Sequence, residues 1–267
     1  MKLKIIITSI LFLLSTNSYA QSNSSFKADI AGFLKNTEAA FVLIDCSDDS
    51  IKIYNPDLAK QRTAPCSTFK IWNTLIGLES KIISSPTEPF YTWDGVERIV
   101  PQWNKNLNLR EAFQASCVPA FQSLAQEIGS KEMRVWINKL NYGDMDTSAG
   151  ITTFWLPEKS RKTILISPIE QTKLIKKLIS QELPFSNENI IILKKIMKAK
   201  EAKNSTIYAK TGSGTNDAGI FVLGWYVGFI ENNKKTYAFA CIAKGNNIMS
   251  KDARMITENI LTAEGLL

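Results

Sequence analysis

The stretch Pro65-Cys66-Ser67-Thr68-Phe69-Lys70-Ile71-Trp72-Asn73-Thr74-Leu75-Ile76-Gly77-Leu78 decides the fold. A proline stands near its start, and the apolar-periodic run from Phe69 to Leu78 predicts a buried helix. Strand signals stand far out on both sides of it. Ala40 to Ile44 and Ile51 to Tyr54 read as two strands around the turn Ser47-Asp48-Asp49-Ser50. Thr206 to Lys210, Phe221 to Ile230 and Thr236 to Ala243 read as three more, the last two joined at Asn232-Asn233. Helical patterns fill the middle: Pro119 to Ile128, Lys131 to Leu140, Pro168 to Ile179 and Glu188 to Lys200. Short helices are expected from Phe26 to Leu34 and from Ala253 to Ala263. This order predicts an α/β (α+β) chain with a mainly antiparallel sheet drawn from both termini. The sheet takes about residues 26–60 and 203–267, and a helical subdomain, about 61–202, is inserted between.

Composition narrows the chemistry. The chain has 267 residues, 45% of them apolar, enough for one large core. It contains no histidine, so a Ser-His-Asp or Cys-His catalytic pair is excluded. Cys46, Cys66, Cys117 and Cys241 lack the close paired spacing of a zinc site, and no metal is expected. Four cysteines allow three full pairings, and the sequence does not choose among them.

The N-terminus has the parts of a secretory signal. Lys2 and Lys4 precede an apolar run from Ile5 to Leu14, and Ser18-Tyr19-Ala20 offers a small-x-small cleavage site. Residues 1–20 are expected to leave on export to the periplasm, and 21–267 to form one domain without stable membrane association. Loss of Lys2 and Lys4 lowers the formal charge from +7 to +5. Lys173, Lys176, Lys177, Lys194, Lys195, Lys198 and Lys200 sit at helical spacing and read as solvated helix faces, with no nucleic-acid motif beside them. Oligomeric state is left open.

Three short motifs can carry chemistry. Ser67 and Lys70 are three apart on a predicted helix, so the amine can reach the hydroxyl and act as its base if burial lowers its pKa. A capping serine with a solvated lysine looks the same, and Ser24-Ser25-Phe26-Lys27 repeats the spacing at a predicted surface. Lys210-Thr211-Gly212, at a strand end, sets an amine and a hydroxyl side by side for an anionic group, with the N–H of Ser213 as a donor. Ser116-Cys117-Val118 precedes Pro119, where a serine can relay a proton or merely cap a helix.

Together, S-x-x-K, S-x-V about fifty residues on, and K-T-G near the last strands form the pattern of penicillin-recognising serine enzymes. The chain resembles the class D, or oxacillinase-type, serine β-lactamases. Trp93-Asp94-Gly95, Trp103-Asn104, Tyr142-Gly143-Asp144, Phe154-Trp155-Leu156, Leu165-Ile166-Ser167, Glu170-Gln171 and Gly224-Trp225-Tyr226-Val227-Gly228 extend the resemblance over nearly the whole of residues 21–267. It implies the penicillin-binding/serine β-lactamase fold, a small β-lactam substrate and no organic cofactor. Ser67 would be the acylated nucleophile. Lys70, N-carbamylated by carbon dioxide, would be the base, with Trp155 donating to the carbamate. Ser116 would relay protons and Val118 would flank the lysine pocket. Lys210, Thr211 and Gly212 would meet the substrate, and the N–H groups of Ser67 and Ser213 would form the oxyanion hole. The class A S-D-N motif is absent. Asp144 replaces the family's asparagine. Arg254 falls one residue out of step with the family's carboxylate-binding arginine, opposite Ala253, and reads equally as substrate ligand or surface cation. A DD-peptidase or a penicillin sensor that stays acylated shares the same motifs.

Overall fold

The computed structural model describes residues 26–34, 37–157, 162–233 and 235–267. The expected signal peptide lies outside them. From the N-terminus, α1 (Ile30–Leu34) leads to β1 (Glu38–Asp45), β2 (Ile51–Tyr54) and α2 (Pro56–Lys60). A 3-10 turn, Cys66–Phe69, runs directly into α3 (Lys70–Glu79). A small two-stranded ladder pairs β3 (Pro89–Tyr91) with β4 (Leu107–Asn108). Then come α4 (Leu109–Gln114), α5 (Val118–Ile128), α6 (Ser130–Leu140), α7 (Pro168–Ile179) and α8 (Asn187–Met197). The chain ends with β5 (Lys198–Glu201), β6 (Ser205–Thr215), β7 (Phe221–Asn232), β8 (Lys235–Lys244) and α9 (Ser250–Ala263).

Among the described residues the main sheet has the order β2-β1-β8-β7-β6-β5, and every neighbouring pair is antiparallel. Strands from the two chain ends meet where β1 pairs with β8, Phe41 opposite Cys241 and Val42 opposite Ala240. Alternation along β1 splits its side chains between two cores. Phe41 and Leu43 join Ile256 and Ile260 of α9 on one face. Val42 and Ile44 face the larger core shared with the helical part.

Local signals set several boundaries. Ser167 and Glu170 close a reciprocal capping box, and Pro168 takes the first helical position, so α7 spans the expected residues. The helix expected from Glu188 to Lys200 ends sooner. At Lys198 the chain turns extended and becomes β5, because it can pair with the edge of β6. The first helix is also shorter than expected, beginning at Ile30, and the strand expected from Thr206 to Lys210 runs on to Thr215.

Several of the basic residues expected on helix faces are ion-paired, Lys200 from strand β5. Lys176 meets Asp49 and Glu182, and Lys194 and Lys200 meet Glu231 and Glu258. Cys46, Cys66, Cys117 and Cys241 are all free thiols. No helix among the described residues is long and apolar enough to cross a membrane.

Candidate active site

From Ala64 to Leu78 every described residue is buried except Ser67, which is half-buried. Several contacts fix its turn. The Trp225 indole donates to Ala64 O from behind at 2.9 Å, and the Thr68 hydroxyl donates to Pro65 O at 2.7 Å. Gln171, itself buried on α7, donates to Thr68 Oγ1 at 3.1 Å. Cys66 takes the left-handed conformation, φ 53°, a strained state for a non-glycine residue.

The turn leads straight into Lys70, whose Nζ donates to Ser67 Oγ at 2.7 Å. Lys70 is fully buried, with the Phe121 ring centroid 5.5 Å from its amine. Burial brings its pKa down from 10.5 to about 7, since no carboxylate among the described residues offsets the loss of water. Cys66 and Cys117 act on it weakly in the opposite direction. Burial pushes the Cys66 thiol up to about 12 and raises that of Cys117, so neither is poised as a nucleophile.

Strand β6 forms the facing wall. A Cβ built on Gly212 would lie 3.1 Å from Pro65 O and 3.2 Å from Ser67 N, so the strand backbone runs against the nucleophile turn. Strand β5 pairs with β6 only as far as Tyr208, which leaves the edge from Ala209 to Thr215 open. On that stretch Lys210 is buried, its Nζ donating to Thr211 O at 3.1 Å and to Thr211 Oγ1 at 3.2 Å. Burial, with repulsion from Lys70, holds its pKa well below the usual lysine range. Ser213 Oγ accepts from Ser250 N at 3.0 Å, tying the strand to the start of α9.

Arg254 lines the same cavity as Lys210 and Thr211, with Phe113 and Tyr226 as further walls. Its guanidinium also donates to Glu258 Oε1 at 2.7 Å, so it is already half-engaged on its own helix. Ala253, its neighbour, is fully buried.

Ser116 also takes the left-handed conformation, φ 53°, and its N–H donates to Phe113 O at 3.1 Å. Its hydroxyl bonds neither Ser67 nor Lys70. The following Cys117 is close enough to Lys70 for the two to shift each other's titration, and Val118 opens α5. The Trp103 indole donates to Ala115 O at 2.9 Å and fixes the approach to Ser116.

Trp155 is fully buried, stacked on Phe69 at 5.6 Å and edge-on to Phe154 at 5.0 Å. Its indole N–H has no hydrogen-bond partner. A buried donor without an acceptor is costly. Two observations suit a carbamate on Lys70: burial leaves the amine able to be neutral, and Trp155, stacked on the neighbouring Phe69, has an indole donor without a partner.

The loop that carries Trp155 is closed at its base. Gly143, φ 56°, passes so near Leu165 that an added Cβ would lie 2.0 Å from its carbonyl oxygen. Asp144 N donates to Leu165 O at 3.0 Å, and Asp144 Oδ1 accepts from Leu165 N at 2.9 Å and from Asp146 N at 3.2 Å. These bonds need only an acceptor at this position, so aspartate serves as asparagine would. Asp144→Asn is therefore expected to melt like the parent protein. Asp144→Ala is expected to lose about 1–2 kcal/mol of stability in thermal unfolding.

Phe121, Phe113 and Gln171 are parts of the site that no short motif announces. Gln171 stands out only through the family resemblance, and the two phenylalanines sit within ordinary apolar periodicity. What sets them apart is contact across elements.

The penicillin binding protein transpeptidase domain matches residues 9–262, and the chain belongs to that family. Within it, the relatives include class D β-lactamases. The probable β-lactamase YbxI of Bacillus subtilis is 36% identical over 90% of this chain and 86% of its own length. A class D β-lactamase structure from Bacillus subtilis superposes with a TM-score of 0.83 at 36% identity, covering 90% of this chain and 97% of that one. The C-terminal domain of the Bacillus licheniformis BlaR penicillin receptor gives the same TM-score, 0.83, at 29% identity over 90% and 96% of the two chains.

Proposed function

We propose that the protein hydrolyses the amide of penicillin-type β-lactams through an acyl-enzyme on Ser67, with Lys70 as the base. The observation that carries this is a buried Lys70 amine 2.7 Å from the hydroxyl of Ser67, the sole accessible residue of its segment. Ser67 Oγ attacks the lactam carbonyl and loses its proton toward Lys70. The C–N bond breaks, and a proton reaches the leaving nitrogen, with Ser116 as the relay. Water then attacks the ester carbonyl and frees Ser67. The N–H groups of Ser67 and Ser213 stabilise the oxyanion at each addition. Lys210, Thr211 and Arg254 hold the substrate carboxylate, and Val118 keeps the lysine pocket apolar.

A carbamate on Lys70, formed reversibly with carbon dioxide, would supply a carboxylate-like base in a chain that has no histidine. Trp155 would donate to it. The segment Lys2 to Ala20 supports export, with the periplasm as the working compartment. The likeness to the BlaR domain supports a second reading, a penicillin sensor that acylates and stays acylated. Deacylation separates the two.

The direct test is ring opening of benzylpenicillin by the purified protein, followed by absorbance. Sustained turnover supports a hydrolase, and none overturns it. The pH dependence is also specified. Lys70 must shed its proton to act, so activity is expected to rise with pH on a limb centred at about 7. A limb placed near the ordinary lysine range would contradict a buried base.

A further inference from the structure

Asn73 is fully buried one turn beyond Lys70, and neither its side-chain oxygen nor its nitrogen has a hydrogen-bond partner. Thr74, also fully buried, has an unpartnered hydroxyl. Polar atoms are rarely left this way, because their lost hydration is not returned. Both residues share a helix face with Lys70 and Gly77, by the three- and four-residue spacing of α3. That face looks onto α5. The Phe121 ring lies 5.5 Å from Lys70 Nζ, and a Cβ built on Gly77 would lie 2.9 Å from Leu124 Cδ1. Asn73 lies on α3 between these two levels, fully buried. Side chains on a helix lean toward its N-terminus, so the Asn73 amide covers the turn that holds Lys70.

The other groups around Lys70 offer it no counter-charge. From the 3-10 turn it meets Cys66, from the start of α5 Cys117, and from β6 Lys210. Burial keeps both thiols protonated, and Lys210 is a second amine. Yet the Lys70 side chain must carry charge at some point in the cycle, as ammonium or as carbamate.

We propose that Asn73, with Thr74 beside it, binds buried water beneath Lys70 and through it stabilises the charged forms of the Lys70 side chain. The water would find one acceptor, one amide group and one hydroxyl, enough partners for an internal site. Asn73 is then a positioning residue, and the inference rests on the function proposed above.

The test reads the carbamate without substrate, from its carbon-13 NMR signal as labelled bicarbonate is titrated into the purified protein. Asn73→Leu keeps the volume and removes the polar atoms. Asn73→Ser keeps a hydroxyl and leaves room for a water. The bicarbonate needed for half-occupancy is expected to rise about tenfold in Asn73→Leu, with Asn73→Ser in between. Unchanged half-occupancy in Asn73→Leu overturns the proposal. If that variant does not fold, unchanged half-occupancy in Asn73→Ser does so. No signal in the parent protein would overturn the carbamate itself, a different failure.

Discussion

Lys70→Ala is expected to fold and to lose benzylpenicillin turnover by roughly a hundredfold to ten-thousandfold, the scale of a missing general base. Ser67 would remain in its turn, because Thr68, Gln171 and Trp225 hold that turn independently of Lys70. Its hydroxyl would have lost the amine that bonds it at 2.7 Å. Turnover near the parent rate would refute Lys70 as the base. The same variant has a signature in stability. The folded pKa of Lys70, about 7, lies below its unfolded value near 10.5, so the unfolded chain binds more protons between those limits. Stability of the parent protein should therefore rise with pH across that window. In Lys70→Ala the rise should be smaller. It should not vanish, because Lys210 is buried and shifted in the same direction. Chemical denaturation at a series of pH values reads the difference.

Trp155→Phe gives the second large effect. Phenylalanine keeps much of the stacking on Phe69 and removes only the indole donor, which has no other partner. In bicarbonate-depleted buffer the variant is expected to turn over penicillin at least about tenfold more slowly than the parent, the cost of one hydrogen bond to a charged group. Saturating bicarbonate should restore most of the rate. An identical bicarbonate response in the two proteins would remove Trp155 from the carbamate site.

Chemistry that depends on residues a few positions apart is legible in the sequence. Ser67 and Lys70 are three apart on one helical segment, and their bond follows from helix geometry. The α7 boundaries follow from Ser167, Pro168 and Glu170, which meet without help from the rest of the fold. What depends on distant partners is not legible. Lys198 to Glu201 carries a helical pattern up to its start, and becomes a strand only because β6 offers it an edge. The short elements α2, α4, β3 and β4 are too brief to announce themselves by periodicity. Arg254 shows the same limit within the site. Its one-residue offset from the family pattern leaves it ambiguous in sequence, and only the folding of α9 beside β6 places it in one cavity with Lys210 and Thr211. Asn73 sits in an apolar run, but its lack of partners becomes visible only once α5 closes over α3.

In the proposed cycle Ser67 is acylated and then released by water, with Lys70 driving both steps. Intact mass of the protein, followed through a time course with excess benzylpenicillin, reads both steps. One penicilloyl adduct on Ser67 is expected, present only while substrate lasts, then return to the parent mass with all the penicillin opened. An adduct that persists after substrate is removed would contradict it and make the protein a sensor or a peptidase. No adduct and no ring opening would remove Ser67 as the nucleophile altogether.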